Sequence, residues 1–425
     1  MAKDPRDTFR LRGKFSYWVA GLPVALRNRS AKSADALDQL RHEFASFYWA
    51  KDKLARHMRF KAMLLAAPLL IRDVVKFTAL NGRLTKQRHG RSIAGQGIDQ
   101  LRVYVRNGIM PRWYYCFSLY EPGGLARARS YLNRFETKPA IFTFLNRGAK
   151  SRLGDKVEFA AHCARHAVAH VPVLAAARDG RVDCAASSLP PCDLFVKPIR
   201  GRGGKGAERW AWVAGEHGYR GPDGVVLAAA HFLERLKADS ADAPRMVQPR
   251  AINHPAMADL SNGALTTLRF LSCLDEQRRP ALVGAALRMA VGANQTVDNY
   301  HAGGIAAAID LATGMLGRAG NQGHDVRLGW LTRHPDTGGQ IEGRTLPLWP
   351  QVKALVEHAH RAFDDHIVVG WDIAILADGP TLVEGNTLPD VDIMQRPLGR
   401  GLGDTRFVEL LVHHVRAKRA SSEVR

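Results

Sequence analysis

Residues 194–213, "LFVKPIRGRGGKGAERWAWV", hold four glycines between two apolar segments. The residues after the last glycine decide which fold the stretch can join. Gly201, Gly203 and Gly206 match GxGxxG in form, but a dinucleotide fold needs a helix directly after the last glycine, because the pyrophosphate rests on that helix's N-terminus. "AERWAWVA" alternates with period two instead, which sets Trp210 and Trp212 on one face of a strand. A P-loop is excluded as well, since Gly204 and Lys205 are followed by Gly206 and not by Ser or Thr. What is left is a hairpin with a glycine-rich tip. Glycine lets such a tip adopt positive φ and bring its amides against phosphate oxygens. Lys197, just before Pro198, is aimed at the space beneath the tip. A surface hairpin with solvated cations is the alternative.

A second hairpin lies at 368–392, "VVGWDIAILADGPTLVEGNTLPDVD". Its first strand carries one acid, Asp372, among apolar residues; its second ends in Glu384 and Asn386, which share a face because they are two residues apart. A three-residue turn around Asp378 and Gly379 puts Asp372 on that same face, whereas a two-residue turn puts it on the other. Three oxygen ligands beside a nucleotide suit Mg²⁺, which takes its remaining ligands from phosphates and water, and such a site polarises a transferring phosphoryl group. Solvated surface acids are the alternative. The apolar flanks weigh against it, since an unpaired buried acid is costly.

Outside the hairpins the pattern is mixed. "KPAIFTFLNRGAK" (138–150) opens as a strand, "DKVEFAAHCARHAVAH" (155–170) as a helix and "VPVLAA" (171–176) as a strand, an α/β alternation. Further strands are expected at 194–199, 209–214, 245–250, 265–274, 281–290, 305–311, 368–376 and 380–386, and helices at 225–238, 350–365 and 404–418. Residues 31–77 read as basic amphipathic helices, 81–97 as a glycine-bearing linker, and the aromatic run at 111–124 as core. His162, His166 and His170 stand one helical turn apart, but no carboxylate accompanies them and the helix reads as simply amphipathic. The chain divides into a basic helical region (1–104), an α/β segment (105–190), a small lobe with the glycine loop (191–260) and a large lobe with the acidic hairpin (261–418).

Of the net charge of +21, residues 1–110 supply +14, with 22 Lys or Arg against 8 Asp or Glu. The first quarter therefore points to an anionic surface, phospholipid or nucleic acid, with a solvated basic face as the alternative. No recognisable nucleic-acid motif accompanies the charge. Five scattered cysteines without a CxxC pair fit a reducing compartment. "FSYWVAGLPVAL" (15–26) is followed by "RNRS" and reads as no cleaved signal; "AMLLAAPLLI" (62–71) is about half the length that spans a bilayer.

In their order the pieces "RLGDKVEF", "FVKPIRGRGGKG", "MVQPRAINHP", "TTLRFLSC", "ALRMAVGANQTVDNYHAGGIAAAIDLATG", "GWDIAI" and "LVEGN" resemble the ATP-grasp superfamily, specifically its sugar-transfer-associated branch, over about residues 105–415. The resemblance implies a fold of two α+β lobes with ATP between them and Mg²⁺ as cofactor. Lys156 and Lys197 look like the lysines that reach the ATP phosphates, and Gly201, Gly203, Gly204 and Gly206 like the lid loop. Gln248 stands in the hinge strand where relatives usually carry an acid. Arg269 and Arg288 look like cations facing the γ-phosphate or an acyl phosphate, while Asp372, Glu384 and Asn386 match the magnesium triad. Asp298, Asn299, His301, Gly303 and Gly304 would line the acceptor pocket; a polar loop without catalytic role is the alternative. The implied chemistry is ATP-dependent joining of a small-molecule carboxylate to an amine or similar nucleophile, in the cytoplasm, in cell-surface polysaccharide or related synthesis, with residues 1–80 meeting an anionic membrane face. An ATP-grasp kinase, and a basic nucleic-acid- or membrane-binding protein without catalysis, are the competing readings.

Overall fold

The computed structural model describes residues 15–423 except 29–32, 52, 187, 202–203, 294–295, 297–299 and 301–302. Of the expected site residues, Gly203, Asp298, Asn299 and His301 lie outside the described residues.

The N-terminal third is helical: α1 (Phe15–Arg27), α2 (Ala36–Tyr48), α3 (Lys53–His89), α4 (Ile93–Asn107) and α5 (Pro111–Cys116). α1 is apolar nearly all round, and a helix of that kind belongs in a core. Trp18 to Ala25 are all buried, and the Tyr48 hydroxyl donates to the Trp18 carbonyl at 2.8 Å. Arg41 and Glu136 form a buried ion pair at 2.9 Å that ties α2 to the segment after α5. The aromatic run packs as expected, with Tyr114, Tyr115, Phe117 and Tyr131 in one buried cluster.

Two expectations fail here. Residues 81–97 are no loop: α3 runs through to His89, the chain turns at Gly90 with φ +73°, and Ser92 caps α4 by accepting from the Gly95 amide. The small residues permit close helix pairing instead, since Gln96 donates to the Gly82 carbonyl at 3.1 Å and Gln100 to Thr78 Oγ1 at 2.8 Å. Residues 138–150 are no strand either. They form short helical turns, one of them a π-turn over Thr137–Phe142, with Ala140, Ile141 and Phe142 fully buried. A short apolar run has the same composition in a buried helix as in a strand, and here packing decides.

Downstream come α6 (Lys156–Arg165), α7 (Ala229–Asp239), α8 (Trp349–Ala362), α9 (Asp392–Leu398) and α10 (Arg406–Glu423). The strands form two sheets. The smaller lobe uses β1 (Ala175–Arg178), β2 (Arg181–Cys184), β3 (Leu194–Pro198), β4 (Glu208–Val213), β5 (Gly218–Arg220), β6 (Val226–Ala228) and β7 (Arg245–Pro249), in the order β2-β1-β7-β3-β4-β5-β6. The larger uses β8 (Thr267–Leu274), β9 (Pro280–Met289), β10 (Ile305–Ile309), β11 (Leu316–Gly320), β12 (Val368–Leu376) and β13 (Gly379–Asn386), in the order β11-β10-β9-β8-β12-β13. Every ladder is antiparallel, so the mixed architecture takes its α+β form.

β12 is buried on both faces. Val369, Trp371, Ile373 and Ile375 meet α8 on one side, while Val368 joins the core shared with α10, α1 and α2 on the other. A strap at 168–174 joins the lobes: the Val171 amide donates to the Leu382 carbonyl of β13 at 3.0 Å, and the Leu174 amide to the Val247 carbonyl of β7 at 2.8 Å.

Candidate active site

The acidic hairpin turns in two residues, with Leu376 opposite Gly379. A plain ladder would then pair Asp372 with Val383. The register shifts between Asp372 and Ile373, however, so that Ile373 faces Leu382 and Asp372 faces Glu384. One extra residue on β13, a β-bulge, returns Glu384 and Asn386 to the face of Asp372. The requirement for a three-residue turn is thereby met in another way.

On that face Asp372 is 3% exposed. Burial raises its carboxyl, but Arg269 and Arg288 overcome this and hold it below the usual carboxylate range. Arg269 comes from the adjacent β8 and grips both oxygens of Asp372, and Arg288 from β9 reaches Oδ2 at 3.1 Å while also donating to Thr267 Oγ1. Glu384 is partly open, with a side chain 28% exposed. It accepts from the Asn386 amide nitrogen at 3.3 Å, which leaves Asn386 Oδ1 to act as an oxygen ligand.

Two lysines arrive from outside the large sheet. Lys156 opens α6; its Nζ lies 3.9 Å from Glu384 Oε2 and donates to the Ile199 and Gly201 carbonyls at the base of the glycine loop. Lys197, at the end of β3, is buried. Burial pushes its ammonium down to about 8; the charges of Glu384 and Asp372 work against this, and Lys156 adds to it. These interactions place both lysines and both acids around one cleft. At the loop itself Gly201, Gly204 and Gly206 all have positive φ, at +144°, +68° and +73°, the conformation for which glycine is suited.

Gln248 on β7 is buried, and its amide nitrogen donates to the Val171 carbonyl at 2.8 Å. Gly303 and Gly304 precede β10, Gly303 with φ +103°. His162 stacks on His166 at 4.4 Å and contacts the Ala362 carbonyl through Nε2.

Three features escaped the sequence. Asp155 caps α6 by accepting from the Val157 and Glu158 amides and pairs with Arg178 and Arg200, which fixes the start of the helix that carries Lys156. Gly385 lets the chain before that helix approach: a Cβ there would sit 2.6 Å from Leu153 Cδ2 and 3.1 Å from Trp371. Beyond the triad, Asp390 pairs with Arg134 and Lys138, and Arg134 Nε lies 3.8 Å from Asp392. Burial, with Asp390 adding to it, pushes the Asp392 carboxyl up to about 8 against Arg134, Lys138 and Arg112. "NTLPDVD" displays these acids, but their partners lie some 250 residues away.

The donors suit a hard cation: two carboxylates and an amide oxygen on one face. No group of three or more His, Cys, Asp or Glu able to hold a metal occurs among the described residues. An open cavity of about 730 Å³ adjoins the site, bounded in part by Ser151, Arg152, Asp155, Arg200, His366 and Thr387.

A family model described as sugar-transfer associated ATP-grasp matches residues 142–409. The chain belongs to this ATP-grasp family. The match begins just before the helix of Lys156 and runs past the acidic hairpin, so both halves of the cleft lie within the family's domain. Similar solved structures include a D-cycloserine synthetase (15% identity, 61% of this chain and 71% of that one, TM-score 0.30). Others are a D-alanine–D-alanine ligase from Bacillus anthracis (12%, 65% and 71%, 0.35) and an L-amino acid ligase from Bacillus licheniformis (9%, 55% and 40%, 0.31). No curated protein matches the chain.

Proposed function

We propose that this ATP-grasp protein is an ATP- and Mg²⁺-dependent ligase that joins a carboxylate to an amine or similar nucleophile through an acyl phosphate. One observation carries the reading: Lys156 and Lys197 meet Asp372 and Glu384 in a single cleft, with Lys156 Nζ 3.9 Å from Glu384. Cations and oxygen ligands on opposite sides of one space are what a transferring phosphoryl group requires.

In this reading Lys156, Lys197 and the glycine loop (Gly201, Gly203, Gly204, Gly206) hold the phosphates, and the strand around Gln248 holds the base. Asp372, Glu384 and Asn386 would hold Mg²⁺, which when bound offsets charge on the phosphates. The substrate carboxylate oxygen attacks the γ-phosphorus as the bond to the β-phosphate oxygen breaks and ADP leaves. The nucleophile then attacks the acyl carbon and expels phosphate. Arg269 and Arg288 stabilise the charge that develops on the transferring group. The glycine loop, closing over the cleft, keeps water from the acyl phosphate. The segment around Asp298, Asn299, His301, Gly303 and Gly304 serves the acceptor, and the adjoining cavity is of a size that takes a small molecule. A role in cell-surface polysaccharide or related synthesis, on the cytoplasmic side of a membrane, accords with the family's sugar-transfer association.

The test is ADP release over a panel of acids and amines. Turnover that requires both an acid and an amine, and that Lys197→Ala abolishes, is the expected result. A stable phosphorylated product without an amine would make the protein a kinase instead.

A further inference from the structure

Most of the exposed large apolar residues among the described residues sit on two helices, α3 and α4. On α3, Phe60, Leu64, Ile71 and Val75 are 68%, 66%, 60% and 63% exposed. At 100° per residue they fall within roughly 60° of one another. The other side of the same helix is apolar too, with Ala55, Ala62 and Leu70 buried. α3 is thus apolar on two opposite faces, one packed and one bare. This pattern hides the bare stripe from a one-sided periodicity search.

The stripe continues onto α4. Gln96 and Gln100 bind Gly82 and Thr78, and a Cβ on Gly97 would lie 3.7 Å from Val74, so α4 runs back along α3. Leu101 and Val105, one and two turns beyond Gly97, are 40% and 57% exposed. A row of exposed cations borders the stripe, Lys61, Arg72, Lys76, Arg83 and Lys86, against a single acid on α3, Asp73. α3 is about 55 Å long and is not apolar enough to cross a bilayer; no described helix is.

We propose that α3 and α4 form a docking surface for a bilayer rich in anionic lipid, lying flat on it with Phe60, Leu64, Ile71 and Val75 in the headgroup boundary. An apolar stripe edged by Lys and Arg is the pattern of an interfacial helix, and the cations meet anionic headgroups. A second copy of the chain fits less well, because the same row of cations would approach itself. The surface differs from the one expected at residues 1–80, since α1 is buried and α4 takes part. Membrane docking is independent of the ligase reading, because vesicle binding is measured without turnover.

The experiment is flotation of the full chain with phosphatidylcholine vesicles, with and without phosphatidylglycerol. Binding is expected to require phosphatidylglycerol and to fall about tenfold or more as ionic strength rises about fivefold. Leu64→Asp with Ile71→Asp, both at exposed positions, is expected to cut partition at least about tenfold while circular dichroism and nucleotide binding stay unchanged. Lys61→Glu with Lys76→Glu should weaken it too. Failure to float with anionic vesicles overturns the proposal, as does wild-type partition by the Leu64/Ile71 variant. Sedimentation showing self-association that this variant abolishes, without vesicle binding, would assign the stripe to a second copy.

Discussion

Asp372 faces Glu384 across the β12–β13 ladder because Val383 is the extra residue of a bulge. The turn at Ala377 and Asp378 is two residues long and would by itself turn Glu384 and Asn386 away from Asp372. The oxygen-rich face is therefore set by an irregularity four residues into the return strand.

The buried acid and the open one should respond very differently to neutralisation. Asp372→Asn leaves Arg269 and Arg288 without their shared anion, a change expected to cost about 3–5 kcal/mol. Glu384→Gln, at a partly exposed position, should cost under about 1 kcal/mol. Urea unfolding of the two variants measures the difference; equal costs would show that the Arg–Asp–Arg trio contributes little to the fold.

Lys197 should trade stability for binding. With its pKa near 8 when folded and about 10.5 when unfolded, it is charged in both states at pH 7, at a cost to the folded one of roughly 3 kcal/mol. Between pH 8 and 10.5 only the unfolded chain still holds the proton, so this group's contribution makes the protein more stable as pH rises. Lys197→Met should thus be more stable than the parent near pH 7, the gap closing toward pH 10, while nucleotide affinity falls. Thermal melts across this range and calorimetry with ATP test both halves.

For the acids beyond the triad the sign is reversed. Asp392, with a folded pKa near 8, holds its proton at pH 7, when an unfolded carboxyl has lost it. Its contribution to stability therefore falls between about pH 4 and 8. Asp392→Asn mimics the protonated form and should change stability at pH 6 by less than about 1 kcal/mol. Asp390→Asn, which deprives Arg134 and Lys138 of a buried partner, should cost about 3–5 kcal/mol. Denaturation of both variants at pH 6 decides between a protonated and an ionised Asp392.

Gly385→Ala should strain the join between the triad and Lys156. The new methyl meets Leu153 and the buried Trp371 ring, an overpacking that costs about 1–3 kcal/mol. Since Leu153 is three residues before Lys156, KM for ATP should rise with it. A second change, Leu153→Ala, should restore KM if that contact is the cause.

The strands of both hairpins were legible because their alternation and their punctuation by glycine and proline are local signals, as at Lys197–Pro198 and "LVEGN". The face of Asp372 was not, since nothing in "TLVEGN" marks Val383 as the extra residue. The continuity of α3 through Gly82 depends on its pairing with Gln96 of the next helix, and the helical state of Ala140–Phe142 on a partner far along the chain, Phe407. The same distance hid the pairing of Arg134 with Asp390.

The strap at Val171 has a mechanical corollary. Its amide is held by Leu382 and its carbonyl by Gln248, so one residue is fastened to both lobes at once. Any opening of the cleft must swing about this fulcrum, and leverage grows with distance from it. Gly206, which accepts from Arg245 at the far end of β7, then moves further than Gln248, which sits at the pivot.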